Sequence, residues 1–222
     1  MHSAWFWQSK EWAEYQQAYH HGQVPDAYKT SPLADDHDFD SNPLWAIEYD
    51  LSLHRTIVLD LTQTREQLWQ GVRKSYHSII HRGEEQYVII ESDVIASYAW
   101  VHAEANGGTP PRPAATYECQ DRWLGDGQGM LVEAWLDGRI IAAAYWIVYD
   151  GGACYMSGPS LKKNVQHAVI WKSIDLLKAK GITLVELGQI DGETEKERNI
   201  GKFKSGWGGT VQPFTIARRR VA

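Results

Sequence analysis

Cysteine is nearly absent from this chain of 222 residues. The two present, Cys119 and Cys154, do not make a disulfide framework, and free buried thiols in a reducing compartment are the expected state. Long apolar runs are also missing: no window approaches the roughly 20 apolar residues of a membrane span, so membrane insertion is not expected. The opening MHSAWFWQSK has no basic leader and no apolar core of a signal peptide, so a cytoplasmic protein is expected. Basic excess is lacking too. The 22 Lys and Arg against 28 Asp and Glu leave a formal net charge of −6, which argues against a broad nucleic-acid footprint though not against contact with one acceptor end. No internal repeat is visible.

What the chain holds in quantity is aromatic surface: eleven Trp and eleven Tyr, enough for a core, a stacking groove or both. With 43% apolar and 23% charged residues the composition is that of a globular protein. The length suits one domain with an appendage.

Residues 3–20 are spaced for an amphipathic helix with Trp5, Trp12, Tyr15 and Tyr19 on one side, and residues 22–45 read as a polar linker. Together they suggest an N-terminal extension over 1–55 and a main domain over 56–222. TIVLDL, from Thr56, is a strand. Thr64 and Gln67 form a capping box for one helix to about Arg82, with Leu68, Val72, Tyr76, Ile79 and Ile80 on its apolar side. The opposite side carries Arg65, Arg73, Lys74, His77 and Arg82. It is either a solvated face or a patch for an anionic ligand, because phosphates prefer Arg and Lys. His77 and His81 are four apart but lack the H-E-x-x-H pattern and a third ligand.

Residues 87–92 read as a strand, with helices to Glu104 and over 114–124. MLVEAWL and RIIAAAYWIVY, joined at Asp137-Gly138, are a hairpin. ACYMSGPS (153–160) follows as a strand, then a helix from Asn164 to Gly181, a strand ending near Gln189 and a last strand, TVQPFTIA. A hairpin-rich middle followed by one β-α-β crossover predicts α/β (α+β) architecture: a single mixed sheet flanked by helices, not a doubly wound one.

The most specific stretch is residues 184–209, LVELGQIDGETEKERNIGKFKSGWGG. A strand breaks at Gly188, an acidic loop runs over 191–197, one turn of helix or loop carries Phe203 and Lys204, and a glycine corner surrounds Trp207. The order ELGQ, loop, FKSGWGG resembles the C-terminal end of the FemABX family and its relatives among the GNAT-like acyltransferases, where D-L-G-G precedes F-K-x-G-F-G. The likeness implies a single GNAT-like sheet in which an acyl donor enters where the strands flanking the crossover helix splay, here ACYMSGPS and ITLVELGQ. It also places the F-K lysine at the acyl-transfer centre.

Acyl transfer to an amine needs an aligned donor, a stabilised oxyanion and a proton acceptor. Lys204 is the candidate for the oxyanion, beside Phe203 and the corner residue Trp207. Glu186 and Asp191 are candidates for binding the acceptor amine or taking its proton. Tyr155 and Ser157, alternating on one strand face, and Gln189 are candidates for orienting the acyl group. Lys162 and Lys163, before the crossover helix, are placed for a donor phosphate, and Arg73 and Lys74 for another anion. No metal or prosthetic group is expected. The segment SGPSLKKNVQHA lacks the glycine pair with which acetyl-CoA-dependent GNAT enzymes hold a pyrophosphate at a helix N-terminus. With the FKSGWGG match this favours aminoacyl-tRNA as donor and a small-molecule or peptide amine as acceptor. The alternatives are an acyl-CoA-dependent N-acyltransferase and a non-catalytic binding module on the same fold.

Overall fold

The computed structural model describes residues 27–29 and 49–219, with side chains over 52–214. The helix expected over 3–20 lies outside the described residues, as does nearly all of the linker over 22–45. Eight strands are described: β1 (Ala27–Lys29), β2 (Tyr49–Asp60), β3 (Val88–Ser92), β4 (Gly129–Leu136), β5 (Arg139–Tyr149), β6 (Gly152–Ser157), β7 (Leu184–Gln189) and β8 (Thr210–Arg219). They form one sheet in the order β1-β8-β2-β7-β6-β5-β4-β3. Every neighbouring pair is antiparallel except β6 and β7. This is the mixed sheet expected from the sequence. It begins earlier than residue 56, because β2 starts at Tyr49 and residues 27–29 pair with β8.

Among the described residues six helices flank the sheet: α1 (Arg65–Gly71), α2 (Lys74–Gln86), α3 (Ile95–Glu104), α4 (Ala114–Gly125), α5 (Val165–Ala179) and α6 (Glu195–Lys204). A parallel pair requires a crossover, and α5 supplies it between β6 and β7. Alternation along β5 sends Ala142, Ala144 and Trp146 to one core and Ala143, Tyr145 and Ile147 to another. The first core is closed by α1, α2 and α5 through Leu68, Ile80, Val169, Ile170, Trp171 and Ile174. The second is closed by α3 and α4 through Tyr98, Val101, Tyr117, Cys119 and Trp123. Both Asp-Gly turns, Asp137-Gly138 and Asp150-Gly151, have positive φ at both residues, the conformation whose twist matches the flanking strands. Among the described residues no helix is long and apolar enough to cross a membrane.

Two elements differ from expectation. The single helix over 64–82 is two helices, α1 and α2. Its capping box forms, with the Gln67 amide donating to Thr64 Oγ1 at 3.2 Å and the Thr64 amide to Gln67 Oε1 at 2.8 Å. The chain then turns extended at Val72, because the glycine corner docks there and the Arg73 amide donates to the Gly206 carbonyl at 2.8 Å. The acidic loop is shorter than expected: it gives way at Thr194 to the ten-residue α6. Thr194 and Glu197 form a second capping box, with the Thr194 amide and hydroxyl donating to Glu197 Oε2 at 2.9 and 2.8 Å. Two acidic side chains in the first turn also suit the positive end of the helix.

Gly206 is where α2 and the corner touch. A Cβ there would lie 2.3 Å from the ring of Tyr76. Gly206→Ala is therefore expected to lower stability by about 1–3 kcal/mol, the usual range for overpacking, read as a drop in thermal midpoint.

Candidate active site

The parallel strands β6 and β7 pair only from Gly152–Leu184 to Cys154–Glu186. Beyond that point residues 155–157 and 187–189 diverge without mutual pairs. Two local features accompany the divergence. On β6, Tyr145 pairs with Ser157 and Trp146 with Tyr155, so Met156 is an extra, bulged residue. On β7, Gly188 has φ +75°, a left-handed conformation open to glycine at no steric cost. A cleft of about 660 Å³ opens at this end of the strands. Its walls come from the end of α3 and the following loop (His102, Arg112), from residues 155–160, from the start of α5 (Gln166, His167) and from α6 (Lys196, Phe203, Lys204).

Lys204 closes the last turn of α6, and its Nζ donates to the Gln189 carbonyl at 3.1 Å. A Cβ at Gly188 would lie 3.1 Å from that ammonium, so the bare glycine makes room for the lysine against the end of β7. Phe203 faces the cleft and meets His167 edge to face, with ring centroids 5.0 Å apart. Trp207 is buried in the corner behind it, near Tyr76 and Phe203 at 5.8 and 6.0 Å.

The bulge divides two residues that simple alternation would keep together. Tyr155 packs with Trp146 on the first core, at 5.0 Å between centroids. Ser157 falls on the other face, where its hydroxyl bonds that of the buried Tyr98 on α3. Both still line the cleft. Burial pushes the Tyr155 phenol well above its ordinary pKa, with a smaller contribution from Tyr98, so its hydroxyl stays protonated.

The other expected site residues separate into those in the cleft and those outside it. Lys162 lines the cleft and Lys163 does not. Gln189 contributes its backbone, while its side chain turns to His54 and to the Asp191 carbonyl, both at 3.0 Å. Asp191 is held by Arg55, which donates from Nε at 2.9 Å and from its backbone amide, and it lies outside the cleft lining. Glu186 is 1% exposed, enclosed by β2 and β6 on the face away from Val185 and Leu187. Arg73 joins α2 to the corner, donating to the Lys202 carbonyl at 3.2 Å and lying over Tyr76. Lys74 is exposed on α2, away from the cleft. The basic face of α1 and α2 is thus spent in part on packing, and Arg65 likewise pairs with Asp175 at 2.9 Å. His77 bonds the Trp69 and Val72 carbonyls. No cluster of three His, Cys, Asp or Glu side chains among the described residues is arranged for a metal.

Several cleft residues were not legible as site residues, among them Arg112, Lys196 and the two histidines His102 and His167. Neither histidine sits in a motif, and only the packing of α3 and α5 brings them to the cleft. His102 Nδ1 lies 3.2 Å from the Tyr117 hydroxyl. Burial, and then the Arg112 charge, lower its pKa from 6.5 to about 4.

No protein-family model and no curated protein matches the chain. Solved structures do. A crystal structure of FemX superposes with a TM-score of 0.64 at 12% identity, over 82% of this chain and 68% of that one. L-PGS from Bacillus licheniformis gives 0.55 at 14%, over 83% and 64%. A GCN5-related glucosamine N-acetyltransferase region of a fungal multi-domain GH3 β-N-acetylglucosaminidase gives 0.50 at 14%, over 82% and 23%. The chain therefore has the FemX-like, GCN5-related fold: one mixed α/β sheet flanked by helices. It spans about two thirds of the first two structures.

The depressed His102 pKa has a consequence for stability. The native ring resists a proton that the unfolded ring accepts, so stability is full above pH 6.5 and falls as the pH drops toward 4. The loss from this group stays below about 3.5 kcal/mol, at about 1.4 kcal/mol per tenfold difference in proton affinity, because solvent reaching the half-buried ring screens part of it. His102→Gln is expected to flatten, not abolish, that slope in urea-denaturation midpoints measured from pH 4 to 7, because burial also lowers the pKa of His167.

Proposed function

We propose that the chain is an acyltransferase that holds an activated acyl donor in the cleft between β6 and β7 and passes the acyl group to an amine. The observation that carries this reading is the divergence of two parallel strands directly beside the Lys204 ammonium. An acyl carbonyl lodged there lies next to a half-buried point charge anchored by the Gln189 carbonyl. In such a site a charge acts on the developing oxyanion more strongly than it would in water. The amine nitrogen attacks the acyl carbon, the new N–C bond forms, and the bond to the donor's leaving atom breaks. The leaving atom keeps the electron pair and receives the proton lost by the amine.

For the donor we favour aminoacyl-tRNA, with a small-molecule or peptide amine as acceptor. The likeness to FemX and the FKSGWGG corner support this. The loop before α5 lacks a glycine pair, and its Leu161 amide is already bonded to the Ile141 carbonyl at 2.8 Å. Arg112, Lys162 and Lys196 give the cleft positive charge for the phosphates of an acceptor end. A second reading, acyl-CoA as donor, has one observation in its favour. Asn164, the N-cap of α5, makes no side-chain capping bond, which suits a helix N-terminus facing a pyrophosphate.

Labelled aminoacyl-tRNA and acetyl-CoA, each offered with a panel of amines, decide between donors. Transfer of label without thiol release supports the first, and thiol release supports the second. Inertness toward both supports a binding module instead. Lys204→Ala is expected to keep its thermal midpoint and donor affinity while turnover falls about a hundredfold or more. Trp207→Ala is expected to lower stability by about 3–5 kcal/mol. A folded Lys204→Ala variant with wild-type turnover would overturn the assignment.

A further inference from the structure

The acyl-transfer reading leaves the proton unassigned, because the carboxylates expected to take it lie elsewhere. Asp191 is clasped by Arg55, and Glu186 is enclosed within the sheet. We infer that His167 is the catalytic base that removes the proton from the acceptor amine. This inference rests on the acyl-transfer reading.

Three observations support it. His167 lies in the first turn of α5 and lines the cleft together with Lys204. Its Nδ1 is 2.9 Å from the Asn164 carbonyl. A carbonyl only accepts, so Nδ1 must carry the hydrogen, and the lone pair of the neutral ring sits on Nε2. The ring is also held in place by neighbours. Tyr76 meets it edge-on at 4.3 Å, Phe203 at 5.0 Å, and Trp207 lies at 6.3 Å. Phe203 precedes Lys204 on α6, so α6 both packs on the ring and carries the ammonium that lines the same cleft.

The surroundings keep the ring neutral before reaction. Burial lowers its pKa from 6.5, and the bond to Asn164 partly restores it. Of the titratable side chains, Tyr76 contacts the ring, with Arg73 lying over the tyrosine in turn; Lys204, Lys196, Lys162, Arg112, His102 and Tyr155 line the same cleft. His102, on the opposite wall, is a weaker candidate. Its Nδ1 partner is a tyrosine hydroxyl, which donates as readily as it accepts and so leaves the tautomer unfixed.

The step balances. As the amine nitrogen bonds to the acyl carbon, its proton passes to Nε2 and the imidazolium keeps its Nδ1–H bond to Asn164. When the bond to the leaving atom breaks, Nε2 returns the proton to that atom and the ring is neutral again.

Two measurements test this. Nitrogen-15 NMR of the histidine side chains reads the tautomer without any turnover. The neutral His167 ring is expected to be protonated at Nδ1 and to titrate below pH 6.5, and an Nε2-protonated ring overturns the inference. His167→Asn keeps an N–H near the Nδ1 position but has no base. Its turnover is expected to fall about a hundredfold or more, with donor KM changed by less than about threefold. The acid limb of its pH–rate profile should disappear. A His167→Asn variant as active as wild type, with the same profile, overturns the inference and leaves the acyl-transfer reading intact. Wild type inert toward every donor overturns both. If His167→Asn does not fold, the wild-type profile decides: an acid limb centred below pH 6.5 supports the base, and a flat profile removes it.

Discussion

The hydrogen-bond ladder between β6 and β7 stops after Cys154 and Glu186, and the cleft lined by residues 155–160 lies at that end of the strands. A parallel ladder that continued to Ser157 and Gln189 would fill the space now open between the strand ends. The bulge at Met156 and the positive φ of Gly188 take the two backbones out of register at the same level. The remaining ladders of both strands, to β5 and β2, hold them in the sheet, so the divergence is part of a rigid scaffold. Beyond the ladder the Gln189 carbonyl is met by the Lys204 ammonium.

The second constraint is the way α6 is locked over that opening. Its capping box fixes where the helix begins. Ten residues later the chain meets the break between α1 and α2, where Arg73 bonds the Gly206 carbonyl with its amide and the Lys202 carbonyl with its guanidinium. Tyr76, Phe203, Trp207 and His167 fill the space between these elements. Lys204 thus reaches Gln189 from a position held at both ends of its helix. Arg73, which the sequence offered for an anion, bonds the corner that carries the lysine.

Electrostatics of the cleft follow from the same packing. The cleft is lined by four cationic side chains, Lys162, Lys196, Lys204 and Arg112, although the chain as a whole is acidic. The histidines in it are lowered in pKa by burial, and the tyrosines Tyr98, Tyr117 and Tyr155 are raised by it. All five are therefore neutral near pH 7, so the formal charges lining the cleft come from its lysines and arginine.

Much of this was legible in the sequence because it is encoded locally. The Asp-Gly turns, the Thr64–Gln67 capping box and the alternation in RIIAAAYWIVY specify hairpins and helix starts within a few residues, and the β-α-β order restricts the sheet to a mixed one. The box formed by Thr194 and Glu197, which starts α6, is equally local, although the acidity of the segment reads as loop. The FKSGWGG run singled out Lys204 and the corner. What the sequence left open depends on contacts between distant residues. One bulged residue moves Ser157 to the opposite face from Tyr155, and bulges have no period to read. Whether Asp191 meets an amine or Arg55, whether Arg73 meets an anion or a carbonyl, and whether His167 reaches the cleft are decided by packing partners up to 136 positions away. Side-chain roles of this kind are settled by tertiary proximity, which competing partners share out only once the sheet and its helices have closed.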